Sequence, residues 1–291
     1  MKSLFLLLGL VCIHLLVVAQ PQFELSRNIY RIPYASGTDI RITNDHRTHD
    51  PLGRYDMIGI NGGVSCTNTG YKIVAAAAGV IRRLVDTHDQ HGDECTADCE
   101  DYNNYVWIEH ANGEWSKYTH IMKFSASRDA GLAVGDTVCA GTFLGYECDI
   151  GKASGPHLHF EVRHPNNPLS IDIDIKGGFT HDAAHRIPVI NSISLHFFSE
   201  NDKWTASGSA SCPGSVDVQA FLAINRSIQI YMASSTLSTV DHSITYENGS
   251  NGLLQAGESI TITPGFSAFA GSYFEARLRS CGTTPFPGGC N

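Results

Sequence analysis

Two histidines, His157 and His159, stand one residue apart in the stretch GPHLHFEV, which otherwise reads as a β-strand. Side chains alternate across a strand, so residues i and i+2 project together. Two imidazoles pointing the same way can share a metal ion or divide its chemistry. Three other segments hold candidate partners: DHRTHDPLGRYDMIG with His46, His49 and Asp56, KYTHIM with His120, and HDQHGDECTADCE with His88, His91, Cys95 and Cys99. A hydrolytic zinc centre takes three protein ligands of nitrogen or oxygen type and keeps one position open for water. Two histidines and one aspartate meet that demand. The last segment has the residue types of a structural zinc knuckle, and its carboxylates are of the type that bind calcium, although the spacing matches no EF-hand loop. In an oxidising compartment its thiols pass into disulfides, which makes it a solvated acidic loop.

The elements that must position these residues are strands. Short β-branched or aromatic runs recur in YKIVAAAAGVIRRLV, NYVWIEH, EWSKYTH and HLHFEV, turn signals are dense, and helical periodicity is scarce. Tyr105 to His110 and Glu114 to His120 flank Ala111-Asn112-Gly113, and Asn-Gly between alternating strands is a strong hairpin signal. That hairpin places His120 at a strand end. In VGDTVCAGTFLG the Gly-Asp and Ala-Gly pairs are turn chemistry; the pattern is also that of lipoyl- and biotin-carrier barrels, but no lysine stands at a hairpin tip to take a cofactor. Trp107, Trp115 and Tyr118 suit core packing and cross-strand contact better than the walls of a groove.

The expected fold is all-β, with an antiparallel sheet or barrel-sandwich-like domain over residues 41–165, preceded by a lead segment over 20–40. A seam follows over 166–187, rich in Pro, Asn and Gly around one alternating strand at Ile171, Ile173 and Ile175. Residues 188–291 form a second small β domain with the runs SISLHFF, DVQAFLAI, SIQIYMA and SITITPGF; its His196 and His242 are isolated.

The start, MKSLFLLLGLVCIHLLVVAQ, sets Lys2 before an apolar run and a Val17-x-Ala19 pair, the pattern of a signal peptide over residues 1–19. The run is short for a membrane span, so the expectation is a secreted chain with no stable membrane insertion. Cleavage removes Cys12 and leaves eight cysteines, an even number that suits disulfides; Cys139 with Cys148 and Cys281 with Cys290 are the expected pairs. The chain carries 20 basic and 29 acidic side chains, a formal charge of −9 that becomes −10 without Lys2. Such a balance disfavours nucleic acid and anionic lipid as partners.

Taken in order, the His and Asp of the first segment, NYVWIEHANGEWSKYTHI, VGDTVCAGTFLG and GKASGPHLHFEVRHP resemble the lysostaphin/LytM-type zinc metallopeptidases, the β-lytic group of peptidoglycan endopeptidases. The resemblance runs from about His46 to Pro165. It implies that Asp56 and His159 are ligands of a single Zn²⁺ and that His120 and His157 are the catalytic pair. The best-known members have His-x-x-x-Asp, but position 52 here is Leu, so the third ligand lies further upstream. His49 fits best, with His46 as the competitor. The implied activity is hydrolysis of peptide cross-links or stems of bacterial peptidoglycan, often at glycine-containing bonds, through a metal-activated water. The alternatives are a non-catalytic peptidoglycan-binding or hydrolase-activating module, and a secreted peptidase acting on glycine-rich proteins. The tail LLQAGESITITPGFSAFAGSYFEARLRSC resembles small β-stack domains at the C-termini of exported bacterial proteins, which implies an accessory unit or one for wall or cell-surface attachment, with a pure folding cap as the equal alternative.

Overall fold

The computed structural model describes residues 23–94, 99–167, 171–190, 196–208, 215–223, 227–240 and 242–278. Twelve strands make up the first unit. They are β1 (Glu24–Tyr30), β2 (Asp39–Asn44), β3 (Tyr55–Gly59), β4 (Lys72–Val74), β5 (Gly79–Val85), β6 (Tyr105–Glu109), β7 (Trp115–Thr119), β8 (Thr137–Val138), β9 (Phe143–Tyr146), β10 (Leu158–Pro165), β11 (Ala183–Ile190) and β12 (Lys203–Thr205). One large sheet runs in the order β12-β2-β3-β10-β7-β6-β5-β8, while β11 joins β10 to β1, and β4 pairs with β9 separately. All these pairings are antiparallel except that of β1 with β11.

The long strand β10 organises the sheet. Its first residues, Leu158 to Phe160, pair with β3, and its last, Val162 to Pro165, pair with β11. Leu158, Phe160 and Val162 are buried in the core with Tyr55, Met57, Ile108 and Tyr118. Burying each large apolar side chain there contributes about 1.5–3 kcal/mol. Period-2 alternation then forces His159, Glu161 and Arg163 onto the opposite face. The β6–β7 hairpin forms as its Asn-Gly signal predicts, with Gly113 at φ 81°. Ser116 and Tyr118 join the core side, so Lys117 and Thr119 share the face of Glu161 and His159, their cross-strand partners.

The sheet extends past residues 41–165 at both ends. In the lead segment, β1 buries Leu25, Ile29 and Tyr30, and its backbone N–H groups at Arg27 and Asn28 donate to the Glu114 carboxylate. The alternating strand expected at Ile171, Ile173 and Ile175 is instead a loop with one isolated bridge, Ile173 to Phe179. Its hydrogen bonds go to local turns, Gly177 N–H to Asp174 O and Asp174 N–H to Gly178 O. Ile171, Ile173 and Phe179 pack on Tyr105, Trp107 and Trp115, and the Trp107 indole N–H donates to Gly177 O at 2.9 Å. The loop therefore lies over the β6–β7 end of the His159 face.

Residues 215–278 contain a parallel unit, where mostly antiparallel pairing was the reading for the chain. Its strands are β13 (Ser215–Asp217), β14 (Phe221–Ala223), β15 (Ile228–Ala233), β16 (Thr236–Ser238), β17 (Ile244–Tyr246), β18 (Asn251–Ala256), β19 (Ser259–Thr261), β20 (Phe266–Ala268) and β21 (Tyr273–Leu278). They form three parallel three-stranded sheets, so each turn of chain lays one strand on each side of a small solenoid. Phe221, Ile244 and Phe266 stand in register, as do Ile228, Asn251 and Tyr273, a return every 22 or 23 residues. The run DVQAFLAI turns a corner of this coil and is split between β13 and β14. Ile228, Ile230, Met232 and Leu253 pack into the core of the first unit, which ties the two units together.

The disulfides differ from expectation. Cys148 is bonded to Cys66, not to Cys139, with Cα atoms 4.4 Å apart. After the turn at Gly141, β9 carries the chain away from Cys139 and delivers Cys148 beside the loop where Cys66 N–H donates to Glu147 O. Cys99 and Cys139 each take part in a disulfide as well. The expected Cys281–Cys290 pair and the leader over residues 1–19 lie outside the described residues.

Candidate active site

Three neighbouring elements bring His49, Asp56 and His159 together. Asp56 on β3 is the cross-strand partner of His159 on β10, and the loop between β2 and β3 folds His49 over both. His159 Nδ1 is 3.1 Å from Asp56 Oδ1 and 3.1 Å from His49 Nε2, and His49 Nε2 is 3.4 Å from Asp56 Oδ1. Zinc at about 2.0–2.1 Å from each ligand of a tetrahedron separates the ligand atoms by about 3.4 Å. The donor set thus fits zinc in element type and in spacing. His49 Nδ1 lies 2.9 Å from Pro51 O; a carbonyl only accepts, so Nδ1 carries the proton and Nε2 turns its lone pair inward. His46 is elsewhere: it is buried against Tyr55, its Nδ1 3.2 Å from the phenol oxygen, and burial pushes its pKa down to about 4.

His120 and His157 flank this set. His120 follows β7 directly in a left-handed conformation, φ 66°, which redirects its ring out of the strand at a cost of about 1–2 kcal/mol. The two rings lie 4.6 Å apart between centroids. His120 Nδ1–H donates to Ile150 O at 2.9 Å and His157 Nδ1–H to Gly155 O at 2.8 Å. Both therefore keep Nε2 free of protons in the neutral form, and that of His157 lies 3.5 Å from Asp56 Oδ1.

The electrostatics follow from this crowding. Burial alone raises the pKa of Asp56, but hydrogen bonds from His159 and His49 outweigh it and hold the carboxyl well below the usual range. Burial lowers the pKa of His49, and the Asp56 carboxylate more than offsets that, leaving it raised. His159 is lowered chiefly by burial, and His120 is lowered strongly by burial and by its histidine neighbours. A metal bound there would need Asp56 ionised and His49 and His159 neutral, so it would displace the proton that the Asp56 carboxylate otherwise draws onto His49.

The other metal-like cluster, Cys66, His91, Cys148 and Asp149, offers no thiolate because its two sulfurs are bonded to each other. His91 pairs with Asp149 at 2.5 Å, and His88 meets the Tyr102 ring, so neither histidine of the acidic loop joins the His159 group. Trp107, Trp115 and Tyr118 are all buried.

One group escaped the sequence reading. The His159 face continues along β10 through Glu161 and Arg163, and across it to Lys117 and Arg54, all lining one cleft of about 450 Å³ with the five residues above. Burial raises the pKa of Glu161, but Lys117, His159 and Arg54 together hold it far below the carboxylate range. Lys117 is lowered by burial against the opposing pull of Glu161. Extending the period-2 pattern of His157 and His159 by two more steps was the signal that would have found Glu161 and Arg163.

Residues 60–171 match the model of peptidase family M23. His120, His157 and His159 lie inside that span; His49 and Asp56 precede it. The DD-carboxypeptidase/endopeptidase Mpg of Neisseria meningitidis serogroup B is 37% identical over 73 residues, covering 24% of this chain and 15% of that protein. The peptidoglycan DD-endopeptidase ShyA of Vibrio cholerae is 31% identical over 67 residues, 23% of this chain and 14% of that protein. The matches thus span about one-seventh of the length of these curated relatives. A mutant catalytic domain of the prophage-encoded M23 protein EnpA from Enterococcus faecalis is similar in structure at 18% identity and a TM-score of 0.32, covering 55% of this chain and 94% of that one. By the family match, this chain carries a peptidase M23 domain.

Proposed function

We propose that the chain is a secreted, zinc-dependent endopeptidase that hydrolyses peptide bonds of bacterial peptidoglycan. One observation carries the reading: His49, Asp56 and His159 converge as a three-ligand set on the floor of the cleft that also holds His120 and His157. The names of Mpg and ShyA support the substrate class, and the Cys66–Cys148 disulfide suits an oxidising, exported setting. Among the described residues no helix is long and apolar enough to cross a membrane.

His49, Asp56 and His159 would hold one Zn²⁺. Bound there, zinc acidifies water to supply a nucleophile near neutral pH and polarises the scissile carbonyl. The rest falls to the chain. His120 and His157, with Nδ1 committed to backbone carbonyls, present Nε2 to the cleft, where it accepts the proton of the attacking water. The resulting imidazolium N–H then stabilises the tetrahedral oxyanion and returns a proton to the leaving amine. Incubating the mature chain with defined muropeptides, with and without chelator, and identifying the new amino termini tests this. Chelator-sensitive peptide cleavage is expected, and intact muropeptides after prolonged incubation with zinc-loaded protein would refute it.

A further inference from the structure

The two histidines of the candidate zinc set are supported unequally. A metal-bound imidazole gives one nitrogen to the ion and its other N–H to an acceptor that fixes the ring. His49 already meets that rule, with Nε2 turned to the other ligands and Nδ1–H donating to Pro51 O at 2.9 Å. His159 does not. Both of its ring hydrogen-bond contacts, to Asp56 Oδ1 and to His49 Nε2, run through Nδ1. A carboxylate only accepts, so without metal Nδ1 carries the proton that bonds Asp56. As a ligand, that same atom gives its lone pair to the ion. The proton of the neutral ring then sits on Nε2, a new donor in need of an acceptor.

A matching acceptor stands unused beside it. Thr119, on β7, is the cross-strand partner of His159 and lines the floor of the cleft. The residue is only 3% exposed, and its hydroxyl oxygen is sealed from solvent with no hydrogen-bond partner. Directly opposed residues of an antiparallel pair hold their Cβ atoms about 4.5–5.5 Å apart, within reach of an imidazole. The other neighbours on this face do not serve the hydroxyl. Tyr105, its partner on β6, leaves its own phenol oxygen unpaired. Lys117, two residues back along β7, sets its ammonium over the Tyr105 and Trp107 rings and toward Glu161. Valine would fill the same space without the cost of an unpaired buried hydroxyl; what threonine adds is an acceptor.

We infer that Thr119 Oγ1 accepts the Nε2–H of His159 when the metal is bound, which makes Thr119 a positioning residue that fixes this ring with Nδ1 toward the ion. The inference rests on the proposed zinc reading and adds one residue to it. Thr119 acts through His159 and does not touch the ion.

Thr119→Val removes the hydroxyl at nearly constant shape, and Thr119→Ser keeps it. Zinc dissociation constants of the full-length mature chain are read by competition with a chromophoric chelator, and the metal-free chains are unfolded by heat. Losing a hydrogen bond of this kind weakens metal binding by about tenfold to a hundredfold, the rise in Kd expected for Thr119→Val, with Thr119→Ser recovering most of it. The metal-free valine variant should unfold at the temperature of the native chain or above it, because nothing pairs with the hydroxyl there. A side chain that only supports the fold would do the reverse, lowering Tm without metal and leaving zinc affinity as it was. An unchanged zinc Kd in Thr119→Val overturns the inference and leaves the three-ligand site standing. A lowered Tm of the metal-free valine variant also overturns it, since the hydroxyl would then have a partner without zinc. No zinc uptake by the native chain overturns the metal reading itself, and the role of Thr119 with it. Should Thr119→Val not fold, nitrogen-15 imidazole spectra of the zinc-loaded native chain carry the test. There His159 is expected to hold a proton on Nε2 that is protected from exchange, and free exchange of that proton with water overturns the inference.

Discussion

The Cys66–Cys148 bridge anchors the backbone that orients His120 and His157, so on the proposed reading removing it should cost stability and turnover together. The bridge closes a loop with a sequence separation of 82. In the chain-entropy description a loop of that length contributes about 4.5 kcal/mol, which for a chain of this size corresponds to about 10 °C in Tm. The functional effect follows from the segment it holds. Cys148 O accepts the backbone N–H of His157 at 3.0 Å, and two residues later Ile150 O accepts His120 Nδ1–H. Cys66→Ala with Cys148→Ala is the perturbation, assayed by thermal unfolding, zinc content and kcat on a cleaved muropeptide. Zinc content should stay at one per chain, since His49, Asp56 and His159 belong to β3, β10 and the loop before β3. Tm should fall by about 10 °C, and kcat should drop while KM moves less. A variant that unfolds within about 2 °C of the native chain and keeps full kcat would show that neither histidine depends on this anchor.

Alanine variants of four of the cleft residues should divide into two groups. Asp56→Ala and His159→Ala are expected to lose zinc and hydrolysis together, whereas His120→Ala and His157→Ala keep zinc and lose about 10²-fold or more in kcat; metal analysis beside kinetics decides. Acid should destabilise the fold through His110, which is buried between Ala78 O and the Ser116 hydroxyl with its pKa pushed down to about 4. Between pH 6.5 and 4 the unfolded chain binds the extra proton and the folded one does not, so stability falls as pH falls. His110→Gln should flatten that slope by up to about 1.4 kcal/mol per pH unit in denaturant titrations; an unchanged slope would count against the buried neutral imidazole. Gly113, at φ 81° in the β6–β7 turn, should tolerate alanine only at a cost of about 1 kcal/mol. A urea midpoint equal to that of the native chain would contradict it.

Much of the site was readable because strands print their faces into sequence. His157 and His159 alternate with core residues, and Asn112-Gly113 marks the hairpin that ends at His120. The choice between His46 and His49 was not readable in that way, since both stand in an aperiodic loop and only its folding puts one of them over Asp56. Cysteine pairing was equally opaque: nearness of Cys139 and Cys148 in the chain says nothing once β9 runs between them. Ile171, Ile173 and Ile175 show the limit of alternation. It reports which side chains seek apolar cover, and Ile171 and Ile173 find it on Trp107 and Trp115, but it does not supply a neighbouring strand. The solenoid left a signal in the 22- or 23-residue return of Phe221, Ile244 and Phe266, visible only by comparing the tail with itself.

Whether one zinc ion is held by these particular atoms is best decided by a zinc-edge anomalous difference map from crystals of the mature chain. A single peak about 2.0–2.2 Å from His49 Nε2, Asp56 Oδ1 and His159 Nδ1 is predicted, with His120 and His157 outside bonding distance. A peak bound instead by His120 or His157, or no peak in the cleft of crystals grown with zinc, would contradict it.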